Sequence, residues 1–172
     1  ERLGMATGVL SKCELYFDDT SSITVAEMKA KIRRMKDVEC VIIDYLGLIK
    51  GSTRTENRVQ EVSEITRNLK MMAKDLNIPV VTCSQLSRGV AKNSNDHRPQ
   101  MTDLRESGTI EQDADIVMFL YRDGYYNKEN PDQTLAECIV AKNRHGETGT
   151  VELQWLPEFT TFSSVERRHE EY

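Results

Sequence analysis

Two apolar runs joined by one long amphipathic segment constrain the fold of this chain most strongly. The first run, Val38 to Ile49, reads VECVIIDYLGLI and is too continuous for a half-exposed strand, so it predicts a central strand of a parallel sheet. The second run begins at Val80, behind Pro79. The residues between the runs carry an apolar stripe at helical spacing that stops at Asn77. A strand, a helix and a second strand of these lengths predict a βαβ unit.

Two helix starts are marked by capping boxes, in which a threonine is followed three residues later by a glutamate. Thr24 pairs with Glu27 in this way, and Thr53 pairs with Glu56. Apolar residues at helical spacing follow each box, so we expect two amphipathic helices that pack into the core. Their apolar positions are Val25, Met28, Ile32 and Met35 in the first helix, and Val59, Val62, Ile65, Leu69, Met72, Ala73 and Leu76 in the second.

The other regular segments predict shorter elements. Glu1 to Leu10 has the pattern of the end of a helix, Leu15 to Phe17 predicts a short strand, and Ile116 to Leu120 predicts a further buried strand. Strands of a meander are predicted at 137–141, 151–156 and 160–165, with turns near His145-Gly146 and Pro157-Glu158. The predicted fold class is therefore α/β, with a mostly parallel central sheet flanked by helices and a carboxyl-terminal antiparallel meander.

Composition limits the classes of protein to which this chain can belong. Its 172 residues suit one globular domain. Its apolar runs are far shorter than the roughly 20 residues that a membrane span requires. The formal charge of −5 means that any nucleic-acid site has to be local. Neither a signal peptide nor a transit sequence opens the chain, so we expect a cytoplasmic protein without a membrane partner.

Cysteine and histidine usage argues against disulfides and metal clusters. The four cysteines are far apart and form no CxxC pair, and Cys40, Cys83 and Cys138 fall in or beside apolar runs. We expect reduced core thiols, because a buried cysteine behaves as a small hydrophobe. The three histidines are scattered, so the sequence predicts no metal-ligand cluster.

Polar side chains stand where two of the predicted strands end. Asp44 follows the run Val41-Ile42-Ile43, and Ser84-Gln85 follow the next strand along the chain. Ligands of open α/β sheets bind at the carboxyl ends of the strands. An aspartate there can hold Mg²⁺ through water, and a glutamine can sense a γ-phosphate without adding charge. Each residue by itself is also explained as a plain strand end, so the interpretation depends on the combination.

Two cations stand at alternate positions at a later strand end. Lys142 and Arg144 lie in the segment AKNRHG, and in an extended chain they point the same way. Such a pair suits stabilisation of charge on a transferring phosphoryl group, which is the role of an arginine finger. A solvated hairpin edge is the plainer alternative for the same residues.

A long polar loop precedes the strand at Ile116. Between Ser87 and Asp103 the chain has almost nothing to bury. From Leu86 to Arg105 the basic residues are Arg88, Lys92, Arg98 and Arg105, against the acidic Asp96 and Asp103. The segment Arg105 to Gly108 then leads into a helical turn whose exposed amides can grip a phosphodiester. No Phe, Tyr or Trp occurs from Ser87 to Gly108, so we expect phosphate contacts that are independent of base sequence and weakened by salt.

In this order, the segments VIIDYLGLI, SQLSR, DLRESGTIEQDADIVMFLYR and AKNRHGETG resemble the carboxyl-terminal motor domain of DnaB-type replicative DNA helicases, which has a RecA-like fold. The resemblance runs from about Leu15 to Val165. The segment DLRESGTIEQDAD separates this family from RecA-type recombinases, and Gly47 stands where the family often has Gln.

The resemblance implies a role for each candidate residue. Asp44 would be the Walker B aspartate that acts on Mg²⁺, and Gln85 would be the γ-phosphate sensor. Lys142 and Arg144 would reach the ATP of a neighbouring subunit. The loop residues Arg105, Glu106 and Gly108 would hold single-stranded DNA in the channel of a hexameric ring that moves 5′ to 3′. Primase and a helicase loader would bind regions outside this chain.

The resemblance also implies a missing part. No GxxxxGK[ST] phosphate loop occurs in the chain, and the family's catalytic glutamate is absent as well. We therefore expect residues 1–172 to be the second half of the motor domain, without its Walker A half and without an amino-terminal domain, and to be unable to hydrolyse ATP alone. Two alternatives stay open, namely a RecA-type strand-exchange ATPase that forms filaments and a non-catalytic module that binds a ring.

Overall fold

The computed structural model describes residues 2–52, 57–86, 97–107 and 109–165, and for residues 2, 3 and 105–107 it describes the backbone only. The helices are α1 (Arg2–Leu10), α2 (Val25–Arg34), α3 (Arg58–Leu76), α4 (Ile110–Asp113) and α5 (Asp123–Tyr126). The strands are β1 (Val41–Ile43), β2 (Val80–Thr82), β3 (Ile116–Tyr121), β4 (Leu135–Asn143), β5 (Gly149–Leu156) and β6 (Thr161–Ser164). Short 3₁₀ helices lie at Leu46–Leu48, Met101–Ser107 and Pro157–Phe159.

The strands form a parallel pair and an antiparallel meander. Strands β1 and β2 pair in parallel, with Val41 opposite Val80 and Ile43 opposite Thr82. Helix α3 connects them, which confirms the predicted βαβ unit. The second sheet has the order β3-β4-β5-β6 with antiparallel neighbours throughout. The α/β class and the carboxyl-terminal meander are confirmed, and the strand at Ile116 belongs to the meander.

Helix α3 is defined by its two ends and by one buried face. The side chain of Asn57 caps its start by accepting a hydrogen bond from the backbone N–H of Val59 at 3.0 Å. Asn77 ends it in the left-handed conformation, with φ of 53°. The predicted box of Thr53 and Glu56 lies outside the described residues. The box of Thr24 and Glu27 is confirmed at the start of α2.

Two apolar clusters form the core, and α3 supplies most of the first. The first cluster consists of Val25, Leu46, Ile49, Val62, Ile65, Leu69 and Met72. The second consists of Leu104 from the 3₁₀ helix Met101–Ser107 and of Val117 and Phe119 from β3. Ile110 on α4 packs against both clusters. The βαβ unit and the meander are therefore joined through this residue.

Some predicted elements differ in extent or burial. The strand predicted at Val38 to Ile49 is limited to β1, and Ile42 within it is 74% exposed. Within the same run Leu46–Leu48 forms a 3₁₀ helix, and this turn lets Leu46 and Ile49 pack against α3. Leu15 to Phe17 is exposed and forms no strand, since no described segment pairs with it.

Burial in β3 and at the cysteines also departs from expectation. Strand β3 buries alternate residues, so Val117 and Phe119 are buried whereas Met118 is 58% exposed. The prediction of core thiols is wrong, because Cys13, Cys40 and Cys83 are exposed and Cys138 is half-buried. All four are unpaired thiols, as expected. Across the described ranges, no helix combines the length and the apolar character that crossing a membrane requires.

Candidate functional site

The carboxyl ends of β1 and β2 meet at one edge, which brings two of the predicted site residues together. Beyond the strands, the N–H of Cys83 donates to the carbonyl of Ile43 at 3.0 Å, and the N–H of Leu46 donates to the carbonyl of Cys83 at 2.9 Å. Asp44 thus lies in the segment opposite Cys83, and Gln85 leaves the same edge two residues later. Both side chains are exposed, so a ligand at this edge can reach them.

The Asp44 carboxylate suits a metal that is held mainly by water and phosphate. Within the ranges that the structure describes, no hydrogen bond or ion pair engages it, and no three His, Cys, Asp or Glu side chains gather to form a metal site. Mg²⁺ usually keeps several waters and takes only one or two carboxylates beside substrate phosphates. A lone exposed aspartate at a strand end fits that pattern, whereas it does not fit a metal held by protein ligands alone.

Tyr45 and Gly47 shape the turn next to Asp44. A Cβ atom added to Gly47 would clash with Cε2 of Tyr45, so the tyrosine ring occupies the space of a side chain at position 47. Leu46, between them, is 3% exposed and anchors the turn in the first core cluster. The backbone that carries Asp44 is therefore fixed by packing on α3.

Lys142 and Arg144 lie side by side at the end of β4 and contact the same segment. The Lys142 ammonium donates to the carbonyl of Glu111 at 2.6 Å. The Arg144 guanidinium donates to the carbonyl of Gln112 at 3.1 Å. The common direction of the two cations is thus observed, and the segment they meet is the end of α4. Their direction agrees with the alternation expected of an extended chain.

Asp115 connects this segment to α3 and to Arg144. Its carboxylate is hydrogen-bonded to the Lys70 ammonium through Oδ2, and its Oδ1 lies 3.3 Å from Nε of Arg144. The hydrogen bond from Lys70 lowers the pKa of Asp115 most, and the charges of Lys70 and Arg144 lower this pKa further. One carboxylate is therefore shared by two cations from different elements.

One helical turn before Lys70, Thr66 makes a second link between α3 and the same segment. Its hydroxyl lies 2.6 Å from Oδ2 of Asp113 and 2.9 Å from the hydroxyl of Thr109. The residue is only 7% exposed. Sequence reasoning did not single out Thr66, Lys70 or Asp115. The sequence does contain the pattern that could have indicated them. Thr66 and Lys70 are polar residues four positions apart in a helical segment, and EQDAD contains two aspartates, Asp113 and Asp115.

The predicted DNA loop is described in part. The backbone of Arg105 and Glu106 lies in the 3₁₀ helix Met101–Ser107, whereas Gly108 lies outside the described residues, as does the stretch 87–96. Leu104 belongs to the second core cluster and anchors this short helix to it. The loop is also held at His97, whose ring stacks on Tyr126 with 4.5 Å between centroids. Arg98 forms an ion pair with Glu137 on β4, so this basic residue has a partner within the chain.

Comparison with known proteins gives consistent matches. The family model described as the DnaB-like helicase C-terminal domain matches residues 1–164. The replicative DNA helicase DnaB of Geobacillus stearothermophilus is 52% identical over 174 residues, which cover 99% of this chain and 38% of that protein. The replicative DNA helicase DnaC of Bacillus subtilis matches with the same identity and the same shares.

Two solved structures have a similar fold. A DnaB-like replicative helicase, described together with its interactions with primase, superposes with a TM-score of 0.89 at 40% identity over 96% of this chain and 40% of that chain. A second structure, described as an ATPase domain, superposes with a TM-score of 0.90 at 40% identity over 96% of this chain and 60% of that chain. The chain thus spans well under half the length of the curated relatives named above.

Proposed function

Because the chain belongs to the family of DnaB-like helicase C-terminal domains, we propose that it is part of a replicative DNA helicase that uses ATP to unwind DNA at the fork. In this proposal the helicase is a homo-hexameric ring in the cytoplasm that moves 5′ to 3′ on single-stranded DNA. Residues 1–172 form the second half of its RecA-like motor domain. The placement of Asp44 and Gln85 at one strand-end edge carries the proposal, since that is where nucleotides bind in such sheets.

Asp44 and Gln85 form the nucleotide end of the site. Asp44 acts on Mg²⁺ through water, and the ion, when bound, supplies positive charge to the phosphate oxygens of ATP. Gln85 donates its amide to the γ-phosphate and so distinguishes ATP from ADP. Both roles suit the exposure of the two side chains. The phosphate loop and catalytic glutamate of this family are supplied by sequence outside the chain.

Lys142 and Arg144 act on the nucleotide of a neighbouring subunit. Both stand at the end of β4, supported by the carbonyls of Glu111 and Gln112. The side chain of Arg144 is 48% exposed, which leaves it accessible to a partner. Positive charge from a neighbour stabilises the charge that builds on the transferred phosphoryl group.

Arg105, Glu106 and Gly108 form the DNA end of the site. They hold the phosphate backbone of a single strand, independently of base sequence. Gln85 and these residues belong to one continuous segment, so loss of the γ-phosphate can shift the grip on DNA without a long pathway between the sites. Primase and a loader are the expected protein partners, bound through other regions. One solved relative is described together with its interactions with primase.

The proposed role of Arg144 as an arginine finger is tested by mixing two inactive variants of the complete protein. Arg144→Ala removes the cation that acts on the neighbour, and Asp44→Asn removes the carboxylate that acts on the subunit's own nucleotide. In a mixed ring, some interfaces join an intact Asp44 to an intact Arg144. DNA-stimulated ATPase should fall by about 10³-fold or more in each ring alone and return in part on mixing, because a finger contributes about 10³ to 10⁵ in kcat.

Arg67→Ala provides the matched control, since this arginine is exposed on α3 and is not one of the candidate site residues. It should leave the ATPase rate of the intact ring unchanged. An Arg144→Ala ring that keeps its full rate would contradict the finger role, and a failure of mixing to restore activity would contradict action between subunits. Open helical filaments in place of closed rings would favour a RecA-type ATPase.

A further inference from the structure

The contacts of Arg144 fix the direction of its guanidinium without using all of its donors. Nε lies 3.3 Å from Oδ1 of Asp115, and a terminal nitrogen donates to the carbonyl of Gln112 at 3.1 Å. The backbone N–H of Arg144 also donates to the carbonyl of Asp115 at 2.9 Å. A guanidinium has five N–H donors in one plane. The hydrogen bond to Gln112 and the ion pair with Asp115 together set that plane, and the other donors stay available to another acceptor.

The orientation of Asp115 is itself set from its other side. Oδ2 pairs with the Lys70 ammonium on α3, and Oδ1 pairs with Arg144. A rotation of the carboxylate about its bond to Cβ would break one of the two pairs, so the carboxylate has one favourable position. Lys70 lies on the helix that also packs against β1 and β2. Arg144 is therefore aligned, through one carboxylate, to the most deeply packed element of the domain.

We infer that Asp115 is a positioning residue for Arg144: it aims the guanidinium of each subunit at the nucleotide of its neighbour in the ring. This inference rests on the proposed function, because it takes Arg144 as the residue that acts in trans. A flexible arginine with no anchor would sample many rotamers and lose the alignment on which rate depends. A carboxylate on Nε restricts those rotamers while it leaves donors on the outer edge of the guanidinium for phosphate oxygens.

An alternative role for Asp115 is purely structural, as a tether between α3 and the start of β3. The two roles predict different kinetics. A lost tether would weaken the fold or the ring and would act whether or not Arg144 is present. A positioning residue changes the rate of the chemical step, leaves nucleotide binding nearly unchanged, and has no further effect once Arg144 is removed.

The test uses the complete hexameric protein with saturating single-stranded DNA, and measures kcat and KM for ATP. Asp115→Asn keeps the shape and removes the charge, so kcat should fall about tenfold, since small misplacements of catalytic groups cost up to about 100-fold. KM should stay within about twofold of the parent value. Asp115→Glu keeps the charge but moves it by one methylene, so its kcat should lie between those of the parent and of Asp115→Asn.

Asp75→Asn is the matched control. Asp75 also pairs with a lysine of another element, Lys29, and its side chain is 47% exposed against 43% for Asp115, yet it does not contact Arg144. Its kcat should match that of the parent. The double variant Asp115→Asn with Arg144→Ala should be no slower than Arg144→Ala alone. Ring assembly is checked by native mass spectrometry for each variant.

The outcomes separate this inference from the proposed function. If Arg144→Ala keeps its rate, the proposed trans role of Arg144 fails, and the inference fails with it. If Arg144→Ala loses its rate while Asp115→Asn keeps a normal kcat, the positioning role alone is wrong. A further loss in the double variant, or a change confined to KM, would also overturn it. If Asp115→Asn does not assemble, a lower kcat at unchanged KM for Asp115→Glu supports the inference, and a parental kcat refutes it.

Discussion

Replacing Thr66 by valine should loosen the segment that follows the candidate DNA loop. The hydroxyl of Thr66 has one proton, and the nearest acceptor is Oδ2 of Asp113 at 2.6 Å, with the carbonyl of Ser63 farther away at 3.2 Å. The hydroxyl of Thr109, at 2.9 Å, can then donate to Thr66. Valine fills the same space as threonine, so the change removes these hydrogen bonds and leaves the packing intact.

The expected loss follows from these contacts. A hydrogen bond to a charged group contributes about 1.5 to 3 kcal/mol, and a neutral one about 1 kcal/mol. Asp113 and Thr109 are half-buried, so water recovers part of this energy once the partner is gone. We expect Thr66→Val to lower the local free energy of opening by about 1 to 2 kcal/mol. Thr66→Ser keeps the hydroxyl and loses one methyl group, which costs about 0.8 kcal/mol.

Native-state hydrogen exchange of the complete protein measures this energy region by region, and it does not require the whole protein to unfold in one step. Amides of Ile65 to Met72 and of Val117 to Phe119 report on the two sides of the contact. Exchange should rise about 5- to 30-fold in Thr66→Val, since 1.4 kcal/mol corresponds to a factor of 10. If the amides of Thr66→Val exchange as slowly as those of the parent while the amides of Thr66→Ser exchange faster, the packing of Thr66 stabilises the segment and its hydroxyl does not.

Three further predictions concern a helix cap, a titration and the DNA loop. Asn57→Ala should destabilise α3 by about 1 kcal/mol, measured by hydrogen exchange of its first turns, whereas Asn57→Asp should keep most of the cap. Hydrogen bonds from Lys31 and Thr20 lower the pKa of Asp18 from 3.8 to about 2, so this contribution to stability is present above pH 3.8 and is lost as pH falls through 2. An NMR titration should find this pKa, and Lys31→Met should raise it, whereas an Asp18 that titrates near 3.8 in the parent would show that the pair does not form in solution. Arg105→Ala should weaken binding of single-stranded DNA equally for all base sequences and reduce the slope of log K against log salt by about 0.7, and a loss confined to particular sequences would contradict phosphate contact.

The elements that sequence predicted well are those whose signals are local. Helix α3 has an apolar stripe of period 3.6 and an asparagine stop, and both act within a few residues of the backbone that they shape. The turns of the meander follow from residues such as Pro157 and Gly146 in the same way. Asp44 and Gln85 could be placed at one edge because parallel strands that flank a helix end on the same side.

The features that the sequence predicted wrongly or did not show depend on partners far along the chain. A strand at Leu15 to Phe17 was predicted, but a strand needs a neighbour for its hydrogen bonds, and the described part of the chain gives this segment none. The apolar pattern of β3 does not determine whether this strand extends the parallel pair or starts the meander, because that depends on its pairing with β4. The contact of Asp115 with Lys70 could not be predicted from the sequence either, because the two residues are 45 positions apart.

Helix α3 connects the strand ends that carry Asp44 with the segment that supports Arg144. One face of α3, with Ile65 and Met72, packs under β1 and β2, and its Thr66 and Lys70 hold the segment that supports Arg144. Thr66 and Lys70 are four residues apart, hence one turn apart on one side of the helix. Because packed interiors deform little, we expect Arg144 to keep its position relative to Asp44 while both polar links stay intact. We therefore expect a movement of Arg144 relative to Asp44 to open the contacts of Asp113 and Asp115. These contacts are exposed or half-buried and can exchange with water, whereas the apolar face of α3 cannot.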